Sequence, residues 1–253
     1  MPLLSPLNLD SPPKPDAEYI RSMFNRMARR YDAFTLLTGF GQAARWRRRA
    51  LSTILPGMRV LDLGCGTGDM ALDARKRVGP SGEVVGLDFS ERMLAMAAEK
   101  ARARQDAGAG RLRWVQARAE DLPDCVQASG ARPFDAVVSG FVLRNLYADI
   151  APILDGVRGS LRPGGHIRFL DLTEPRHGFL KALFRGYLSG PVALYGAGLF
   201  GRDYPIPYLP NSASRFFKAD EFVRALDRAG FTQIHAQPFF FGAVTLYHAL
   251  TPS

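Results

Sequence analysis

The sequence predicts an α/β protein with a doubly wound, mostly parallel sheet and helices on both of its faces. Short apolar runs typical of buried strands alternate with helical patterns from about residue 60 to residue 172. A glycine-rich loop directly follows the first of these runs. Strands connected by helices pair in parallel, and their carboxyl ends then meet at one edge of the sheet. A chain of 253 residues with 47% hydrophobic content is large enough for one such domain, which we assign to residues 17–253.

The chain before the first strand predicts a tail and two helices. Residues 1–16 are rich in Pro, Ser and Leu and lack the basic start and apolar core of a signal peptide, so we expect a disordered tail. Helices are predicted over Ala17–Arg30 and over Arg45–Leu55, the second of which stops at Pro56-Gly57. Residues 17–56 are therefore expected to form a helical cover.

The alternating core is predicted to span residues 57–175. Ser90 is a suitable N-cap for a helix that runs to Arg104, and Pro163-Gly164-Gly165 ends the last core helix. The predicted strands are Val60–Leu63, Glu83–Asp88, Leu112–Val115, Phe134–Ser139 and Ile167–Leu172, and the other helices are Met70–Val78 and Ile150–Leu161.

After Pro175 the alternation breaks. Residues 176–218 form an apolar, glycine-rich insertion that is too short and broken to span a bilayer. It is expected to complete the core, to form a lid over a lipophilic substrate with Leu194 and Leu199 on the substrate tail, or to do both. Residues 219–253 predict a helix over Ala219–Ala229 and a hairpin of strands Phe231–Ala236 and Phe239–Ala249 at the sheet edge.

The first strand and its loop carry the clearest functional signal. Gly64, Gly66 and Gly68 lack a Cβ, so a ligand can approach the backbone closely, and the following helix offers free N–H groups. The second strand ends in Asp88, whose carboxylate suits the two hydroxyls of a ribose. Asp62 stands just before the first glycine, where a carboxylate can accept a hydrogen bond from an ammonium group.

Two ligands compete for this loop. A dinucleotide fingerprint has the spacing G-x-G-x-x-G, whereas this loop reads G-x-G-x-G, and Asp62 would repel a pyrophosphate. S-adenosylmethionine carries an ammonium, a ribose and an adenine but no phosphate. We therefore expect S-adenosylmethionine as the cofactor.

Charge and cysteine content limit the partners. The net charge of +9 is compatible with nucleic acid, with an anionic membrane face, or with an arginine-rich composition that only raises solubility. Its one cluster is Arg45-Trp46-Arg47-Arg48-Arg49, and no RNA-binding module accompanies it, so no nucleic acid is expected. Cys65 and Cys125 show no metal spacing and no disulfide framework, so we expect a reducing, cytoplasmic location and no metal.

Several segments resemble one family when they are read together and in order. They are Phe24–Asp32, Arg45–Arg47, Val60–Asp69, Gly86–Ser90 with Met93-Leu94, Leu143–Asn145, Leu161–Gly165 and Tyr208–Ser212. The set resembles the ubiquinone/menaquinone-biosynthesis C-methyltransferases from about Asp16 to the C-terminus. The resemblance implies a class I methyltransferase fold with a seven-stranded sheet, and methyl transfer from S-adenosylmethionine to a ring carbon of a polyprenylated benzoquinol or naphthoquinol.

Matching positions imply roles for individual residues. Asp62 and the glycine loop would hold the amino-acid end of the cofactor, and Asp88 its ribose. Tyr31 would close over the reacting methyl, and Arg144 and Asn145 would face the substrate ring. The candidate cofactor-binding residues are Asp62, Gly64, Cys65, Gly66, Thr67, Asp88, Phe89, Met93, Ala119, Glu120 and Gly140.

The chain departs from the family at four positions. Thr35 stands where the family usually has Asn, Val142 where it has Gly, and Arg118 where it has an Asp that helps to hold adenine. Asp171 stands where the family usually has Glu, which is a mild change. Adenine recognition is therefore expected to shift to Glu120 or to the backbone of Ala119. A different lipophilic phenol as the acceptor stays open.

The candidate catalytic residues are Arg144, Tyr31, Asn145 and Asp171. Ring-carbon methylation requires a phenolate, which Arg144 can stabilise although it cannot act as a base. Asp171 or Glu174 could relay a proton through water. Each has an ordinary alternative, a surface arginine for Arg144 and a core aromatic for Tyr31. His166, at the amino end of a strand, is expected to be structural.

Two other enzyme classes remain as alternatives. One is an O- or N-methyltransferase for another lipophilic molecule. The other is an RNA methyltransferase, which the sequence disfavours because Gly140-Phe141-Val142-Leu143 stands where base N-methylating enzymes carry an Asn/Asp-Pro-Pro-Tyr/Phe motif. We expect a lipophilic small-molecule substrate and peripheral contact with the inner membrane face, and a homodimer is an alternative to a monomer.

Overall fold

The computed structural model describes residues 17–104, 106, 108–122, 132–146, 150–201 and 218–253. A single sheet of seven strands organises these residues, in the order β3-β2-β1-β4-β5-β7-β6. The strands are β1 Arg59–Leu63, β2 Glu83–Asp88, β3 Arg111–Gln116, β4 Phe134–Gly140, β5 Leu161–Leu172, β6 Thr232–Phe239 and β7 Val244–Leu250. The predicted tail (1–16), Cys125 and the Tyr208–Ser212 segment lie outside the described residues.

The strand directions explain where a ligand can bind. The first five strands are parallel, and β7 runs antiparallel between β5 and β6. The chain order reverses between β1 and β4, and ligands of open α/β sheets bind outside the carboxyl ends of the strands at such a point. The predicted fold class is confirmed.

Helices cover both faces of the sheet. Helices α2 and α3 pack on one face with Trp46 and Met70 in its core, and α6 and α9 pack on the other with Leu154 and Phe222. The helices are α1 Ala17–Thr38, α2 Ala43–Ala50, α3 Asp69–Val78, α4 Glu91–Arg104, α5 Leu143–Leu146, α6 Ile150–Ser160, α7 Gly178–Tyr187, α8 Ala193–Phe200 and α9 Ala219–Arg228.

A third apolar cluster lies beyond the sheet. Helix α1 contributes Met23, Met27 and Phe34, and the insertion contributes Leu188 and Val192 from a π-helical segment between α7 and α8. The Tyr187 hydroxyl donates a hydrogen bond to the Thr38 carbonyl at 3.0 Å. The described part of the insertion is therefore helical, as predicted, and packs on α1. The division of the chain into segments at residues 57, 176 and 219 stays a prediction.

Several predicted boundaries are wrong. Helix α1 continues past Arg30 to Thr38, because Phe34 is buried in the third cluster and extends the apolar face. Helix α2 ends at Ala50 rather than Leu55, and Leu161 opens β5 instead of closing α6. Phe239 ends β6, and a short turn at residues 240–242 separates it from β7. Each error follows from packing that local sequence does not display.

Candidate active site

A cavity opens at the carboxyl ends of β1, β2 and β4, where the strand order reverses. All of the predicted cofactor-binding residues line it, together with Tyr31 and Asn145. The sequence therefore placed these residues around one space, although their contact with a cofactor stays a prediction. Of the helices described above, each is too short or too polar to traverse a bilayer.

The glycine loop is held by the second strand. The backbone N–H groups of Gly64 and Cys65 donate to the Leu87 carbonyl at 2.8 and 3.0 Å. Gly64 has φ +68°, and a Cβ there would lie 2.6 Å from a methyl group of Val142. The Val142 side chain, which is larger than the family's usual Gly, therefore occupies the space that Gly64 leaves open. Any side chain at Gly64 would clash with Val142 unless one of the two residues shifted.

Asp62 is a buried carboxyl aimed into this region. Its side chain is 1% exposed, and its Oδ2 has no hydrogen-bond partner among the described residues. Burial, with the nearby Asp88 carboxylate, raises the pKa of Asp62 to about 8, although a bond from the Ala71 backbone opposes that shift. An ammonium ligand would supply the missing donor and a compensating positive charge.

Asp88 links the loop to the second strand. The Gly66 N–H donates to its Oδ2 at 2.8 Å, and the Ser90 N–H donates to its Oδ1 at 2.9 Å. Burial raises the pKa of Asp88, and these backbone donors partly offset the effect. A carboxylate has about four acceptor positions, so both oxygens keep capacity for a diol.

Helix α1 closes over the loop through a polar network that the sequence reasoning missed. The Thr67 hydroxyl donates to Asp32 Oδ1 at 2.5 Å, and Lys100 Nζ lies 2.5 Å from Asp32 Oδ2. Lys100 also donates to Thr67 at 3.0 Å and to Asp69 at 2.9 Å. Asp32 follows Tyr31 directly, so the network fixes the end of α1 that carries Tyr31. The sequence offered one signal for this network, which is that the carboxylate of Asp32 adjoins the candidate site residue Tyr31.

Aromatic rings extend the same cover. The Phe24 ring lies edge-on to Tyr31, with centroids 6.0 Å apart, and to Phe89 at 6.3 Å. Burial raises the pKa of Tyr31, although the Arg144 charge opposes that shift. Tyr31 therefore stays a neutral hydroxyl that can donate a hydrogen bond.

Arg118 and Glu120 both line the cavity, on the side expected for adenine. Arg118 Nη2 lies 3.1 Å from Glu120 Oε1. The arginine that replaces the family's usual Asp is thus neutralised by Glu120. A carboxylate with this partner can still accept a hydrogen bond from an exocyclic amine.

A second, apolar chamber adjoins the first and shares Tyr31 with it. Helices α1 and α2, the π-helical segment and the β6–β7 turn supply most of its walls. Leu188 and Val192 line it, whereas Leu194 and Leu199 do not, and Leu194 is 77% exposed. The lining of this chamber therefore does not support the expectation that Leu194 and Leu199 contact a substrate tail. The apolar residues around the chamber are Met23, Phe24, Met27, Phe34, Phe40, Trp46, Phe141, Leu172, Leu188, Val192, Phe240 and Val244.

Arg144 reaches this chamber from the short helix α5, which follows β4. Its Nη1 donates to the Phe141 carbonyl at 2.9 Å and lies 3.5 Å from Asp171 Oδ1. The Arg144 Nε and the Asp171 Oδ2 are buried and have no hydrogen-bond partner among the described residues. Burial raises the pKa of Asp171, although Arg144 and backbone donors oppose the shift. The surface-arginine alternative is wrong, because this side chain is only 10% exposed.

The histidines lie away from both cavities. His166 Nε2 is 2.9 Å from the Thr53 hydroxyl, and burial with the neighbouring His248 lowers the pKa of His166 to about 4. The His166 ring also packs edge-on against His248 at 5.8 Å. This packing fits the structural role expected from its position in β5.

The site suits S-adenosylmethionine on the evidence of its own atoms. The unpaired Asp62 Oδ2 can accept a hydrogen bond from a cationic donor. The loop is open at Gly66, where a Cβ would meet nothing within 4 Å. Asp88 can accept hydrogen bonds from a diol. No lysine is among the described residues that line the cavity, and a pyrophosphate would oppose ionisation of Asp62, whereas an ammonium favours it.

Comparison with known proteins decides the family. The profile of the ubiE/COQ5 methyltransferase family matches residues 14–251. The chain belongs to this family. It is 34% identical over 232 residues to the "Ubiquinone/menaquinone biosynthesis C-methyltransferase UbiE" of Geobacter sulfurreducens, covering 91% of this chain and 87% of the relative. It is 36% identical over 227 residues to the "Demethylmenaquinone methyltransferase" of Thermus thermophilus, covering 89% and 98%. The protein is an S-adenosylmethionine-dependent methyltransferase, and the sequence resemblance is confirmed.

Solved structures agree on the fold. A methyltransferase of this cofactor class from Aquifex aeolicus aligns with a TM-score of 0.56 at 16% identity, over 81% of this chain and 88% of its own. The [4+2]-cyclase SpnF aligns with a TM-score of 0.64 at 17% identity, over 95% and 98%. A cyclase shares the architecture, so the fold by itself does not specify the reaction.

Proposed function

We propose that the protein methylates a ring carbon of a polyprenylated quinol, either a demethylmenaquinol or a ubiquinol precursor. The observation that carries this proposal is the buried Arg144–Asp171 pair, which has unpaired polar atoms beside an apolar chamber that reaches the cofactor cavity at Tyr31. Such a junction suits a flat, lipophilic phenol whose polar edge meets Arg144, which lines the chamber and pairs with Asp171 behind the lining. The names of the relatives support the same acceptor class.

Asp62, Asp88 and the glycine loop would hold the methyl donor. When bound, S-adenosylmethionine supplies an electrophilic methyl group on a sulfonium. Asp62 would accept a hydrogen bond from its ammonium and Asp88 would accept from its ribose. Met93 and Phe89, which line the cavity beside Asp88, would contact the adenosine by apolar packing. Ala119 and Glu120 would serve the adenine edge.

Arg144 would act on the acceptor. A quinol becomes nucleophilic at the ortho carbon when a hydroxyl loses its proton, and Arg144 stays cationic and can stabilise that phenolate. Asp171 has a raised pKa, so it can accept the hydroxyl proton through water and pass it on to solvent. The carbon–sulfur bond then breaks as the carbon–carbon bond forms, and the hydrogen of the methylated ring carbon moves as a proton to the quinol oxygen, which restores the hydroxyl.

Tyr31 and Asn145 would orient the ring. Tyr31 borders both cavities and keeps its proton, so its hydroxyl can donate to a quinol oxygen. Asn145 lines the cofactor cavity one residue beyond Arg144. Holding the ring carbon in line with the methyl converts a bimolecular step into a positioned one. The prenyl tail would then extend into the apolar chamber.

The acceptor's tail also bears on location. A polyprenylated quinol resides in the bilayer, so an enzyme without a described membrane-spanning helix would collect it by peripheral contact with the inner membrane face. The oligomeric state stays a prediction.

Product analysis tests the proposal. The purified enzyme with S-adenosylmethionine is offered a prenylated naphthoquinol, a prenylated benzoquinol and a phenol lacking an open ring position. We expect a product heavier by one methyl whose new carbon is bonded to a ring carbon in NMR spectra. Methylation on oxygen, or equal use of the blocked phenol, would support the O-methyltransferase alternative. Lipids from a deletion strain should accumulate the demethylated quinone.

A further inference from the structure

A cationic groove runs beside the apolar chamber and is not used by the proposed chemistry. It lies between α2 and the β6–β7 turn. Arginines occupy one wall and phenylalanine rings the other. Its lining comprises Phe40, Gln42, Arg45, Trp46, Arg48, Arg49, Ser52, Gln237, Phe239 and Phe240.

The three arginines of the groove carry uncompensated charge. Arg45, Arg48 and Arg49 are exposed, and none of them forms an ion pair with a described residue. Arg47 on the same helix differs, because it pairs with Asp69 at 3.3 Å and with Asp73 at 3.5 Å. The Arg49 charge, after burial, lowers the pKa of the neighbouring Arg168. A concentration of like charge without counter-charges suits an anionic partner.

Exposed phenylalanines stand next to these charges. Phe40 lies 5.7 Å from Phe240 between ring centroids, and Phe240 lies 5.9 Å from Phe241. The exposed fractions are 56% for Phe40, 47% for Phe240 and 77% for Phe241. All three residues have φ between 47° and 56°, in the left-handed region that bulky residues rarely adopt. Backbone strain of this kind persists only where the surrounding structure holds the residue in place, and it is concentrated at binding and catalytic sites.

The same rings separate the groove from the chamber. Phe40, Trp46 and Phe240 line both spaces, and the Trp46 ring packs edge-on against Phe240 at 6.3 Å. A prenyl chain that leaves the chamber past the Phe40–Phe240 contact would therefore emerge among the arginines, and it would have to displace one of the two rings, whose centroids are 5.7 Å apart. Soluble enzymes that take lipid-borne substrates need an opening on the surface that faces the lipid.

We propose that Phe40, Arg45, Arg48, Arg49, Phe240 and Phe241 form an arginine–aromatic face that docks on an anionic phospholipid bilayer. Arginines bind the headgroup phosphates, the phenylalanines insert at the interface, and the prenyl tail reaches the chamber when the Phe40 and Phe240 rings part. The inference rests on the proposed function for the tail, whereas the docking itself follows from charge and exposure. The apolar chamber behind the rings favours a lipid, whose chain it can take up, over a nucleic acid.

Vesicle sedimentation tests the face directly. The full chain is mixed at low salt with phosphatidylcholine vesicles that either contain or lack phosphatidylglycerol. We compare Arg45→Gln/Arg48→Gln/Arg49→Gln with a control of equal charge change, Arg158→Gln/Arg224→Gln/Arg228→Gln. The control arginines are exposed on α6 and α9, which pack on the opposite face of the sheet.

We expect the wild type to bind the anionic vesicles and to release them as salt rises. The groove variant should lose about a hundredfold in partition coefficient, since each arginine near the surface contributes about 1 kcal/mol. The control should lose far less. Phe241→Ser should also weaken vesicle binding. Because this loss is apolar, it should not depend on the salt concentration.

Three results would overturn the proposal. They are equal losses in the two arginine variants, no wild-type binding to anionic vesicles, and tighter binding to a single-stranded RNA oligonucleotide than to vesicles. Turnover of a tail-less quinol in solution, measured in parallel, separates this proposal from the proposed function. If turnover is absent while vesicle binding follows the expected pattern, only the proposed function fails. If turnover is normal while vesicle binding fails, only the docking face is wrong.

Discussion

The cofactor cavity and the apolar chamber adjoin one another but are built in different ways. The cavity is polar at its base, where Asp62 and Asp88 sit at the ends of adjacent strands and backbone N–H groups hold the loop. The chamber is enclosed mainly by side chains of α1, α2, the insertion and the β6–β7 turn. The cofactor cavity is formed by consecutive strand–helix units. The apolar chamber is formed by segments that are more than 200 residues apart in the chain.

This difference indicates which substitutions each region can tolerate. A backbone loop held by strand ends tolerates few changes, because Gly64 and the two carboxylates serve geometry and ligand together. An apolar chamber depends on volume and shape, so many apolar residues can line it. The two regions share Tyr31, and Arg144 lines the chamber side of this junction. Substitutions should therefore separate cofactor binding, catalysis and tail binding.

The largest effect is expected at the junction. Arg144→Lys keeps the charge beside Asp171 but loses the planar fork that would hold a phenolate, so turnover should fall about a hundredfold or more. The dissociation constant of S-adenosylmethionine should barely change. Steady-state kinetics and calorimetry on the same preparation measure both. Full turnover in this variant would remove Arg144 from the chemistry.

Within the cofactor cavity, Asp88→Ala should weaken S-adenosylmethionine binding by about 2–3 kcal/mol, because charge-assisted bonds to the ribose are lost. Part of the loss will come from the loop, since Asp88 also accepts from Gly66 and Ser90. The affinity of Asp88→Asn for S-adenosylmethionine should lie between those of Asp88→Ala and the wild type. Calorimetry decides, with Asp155→Ala on the exposed face of α6 as the control. Unchanged affinity would exclude Asp88 from the ribose site.

The pKa of Asp62 predicts a proton linkage. Without ligand the carboxyl has a pKa of about 8, so it holds a proton at lower pH. An ammonium ligand favours the carboxylate, and binding should therefore release that proton. Affinity should rise by about tenfold per pH unit below pH 8 and then level off. Calorimetry in buffers of different ionisation enthalpy counts the protons. Asp62→Asn should abolish the release, and the same buffer dependence in that variant would assign it to another group.

In the chamber, Leu188→Ala should raise the KM for a prenylated quinol by about tenfold, because it removes apolar contact worth about 0.8 kcal/mol per CH₂. Leu188 is buried and lines the chamber, whereas Leu194 on the same insertion is exposed and does not. Leu194→Ala is thus the matched control and should leave this KM unchanged. Neither variant should alter the KM for a tail-less quinol. Thermal melting checks that the Leu188 variant stays folded at the assay temperature.

The sequence predicted the sheet core well because its signals are local. Five apolar runs marked the parallel strands, and the glycine loop with Asp62 and Asp88 marked the cavity. Boundaries failed where tertiary packing extends or ends an element. Helix α1 reaches Thr38 because Phe34 packs on the insertion, and Phe239 joins β6 because it pairs with Val244 across the hairpin.

The chain by itself determined the fold class, the family and the residues around the cofactor, because strand–loop–helix spacing fixes which atoms reach one sheet edge. Only the tertiary structure decided which residues close the site. Asp32 and Lys100 stand 68 positions apart yet lie 2.5 Å from each other, and Phe40 reaches Phe240 across almost the whole chain. Contacts of this range depend on how helices dock on the finished sheet, which no local pattern of residues encodes.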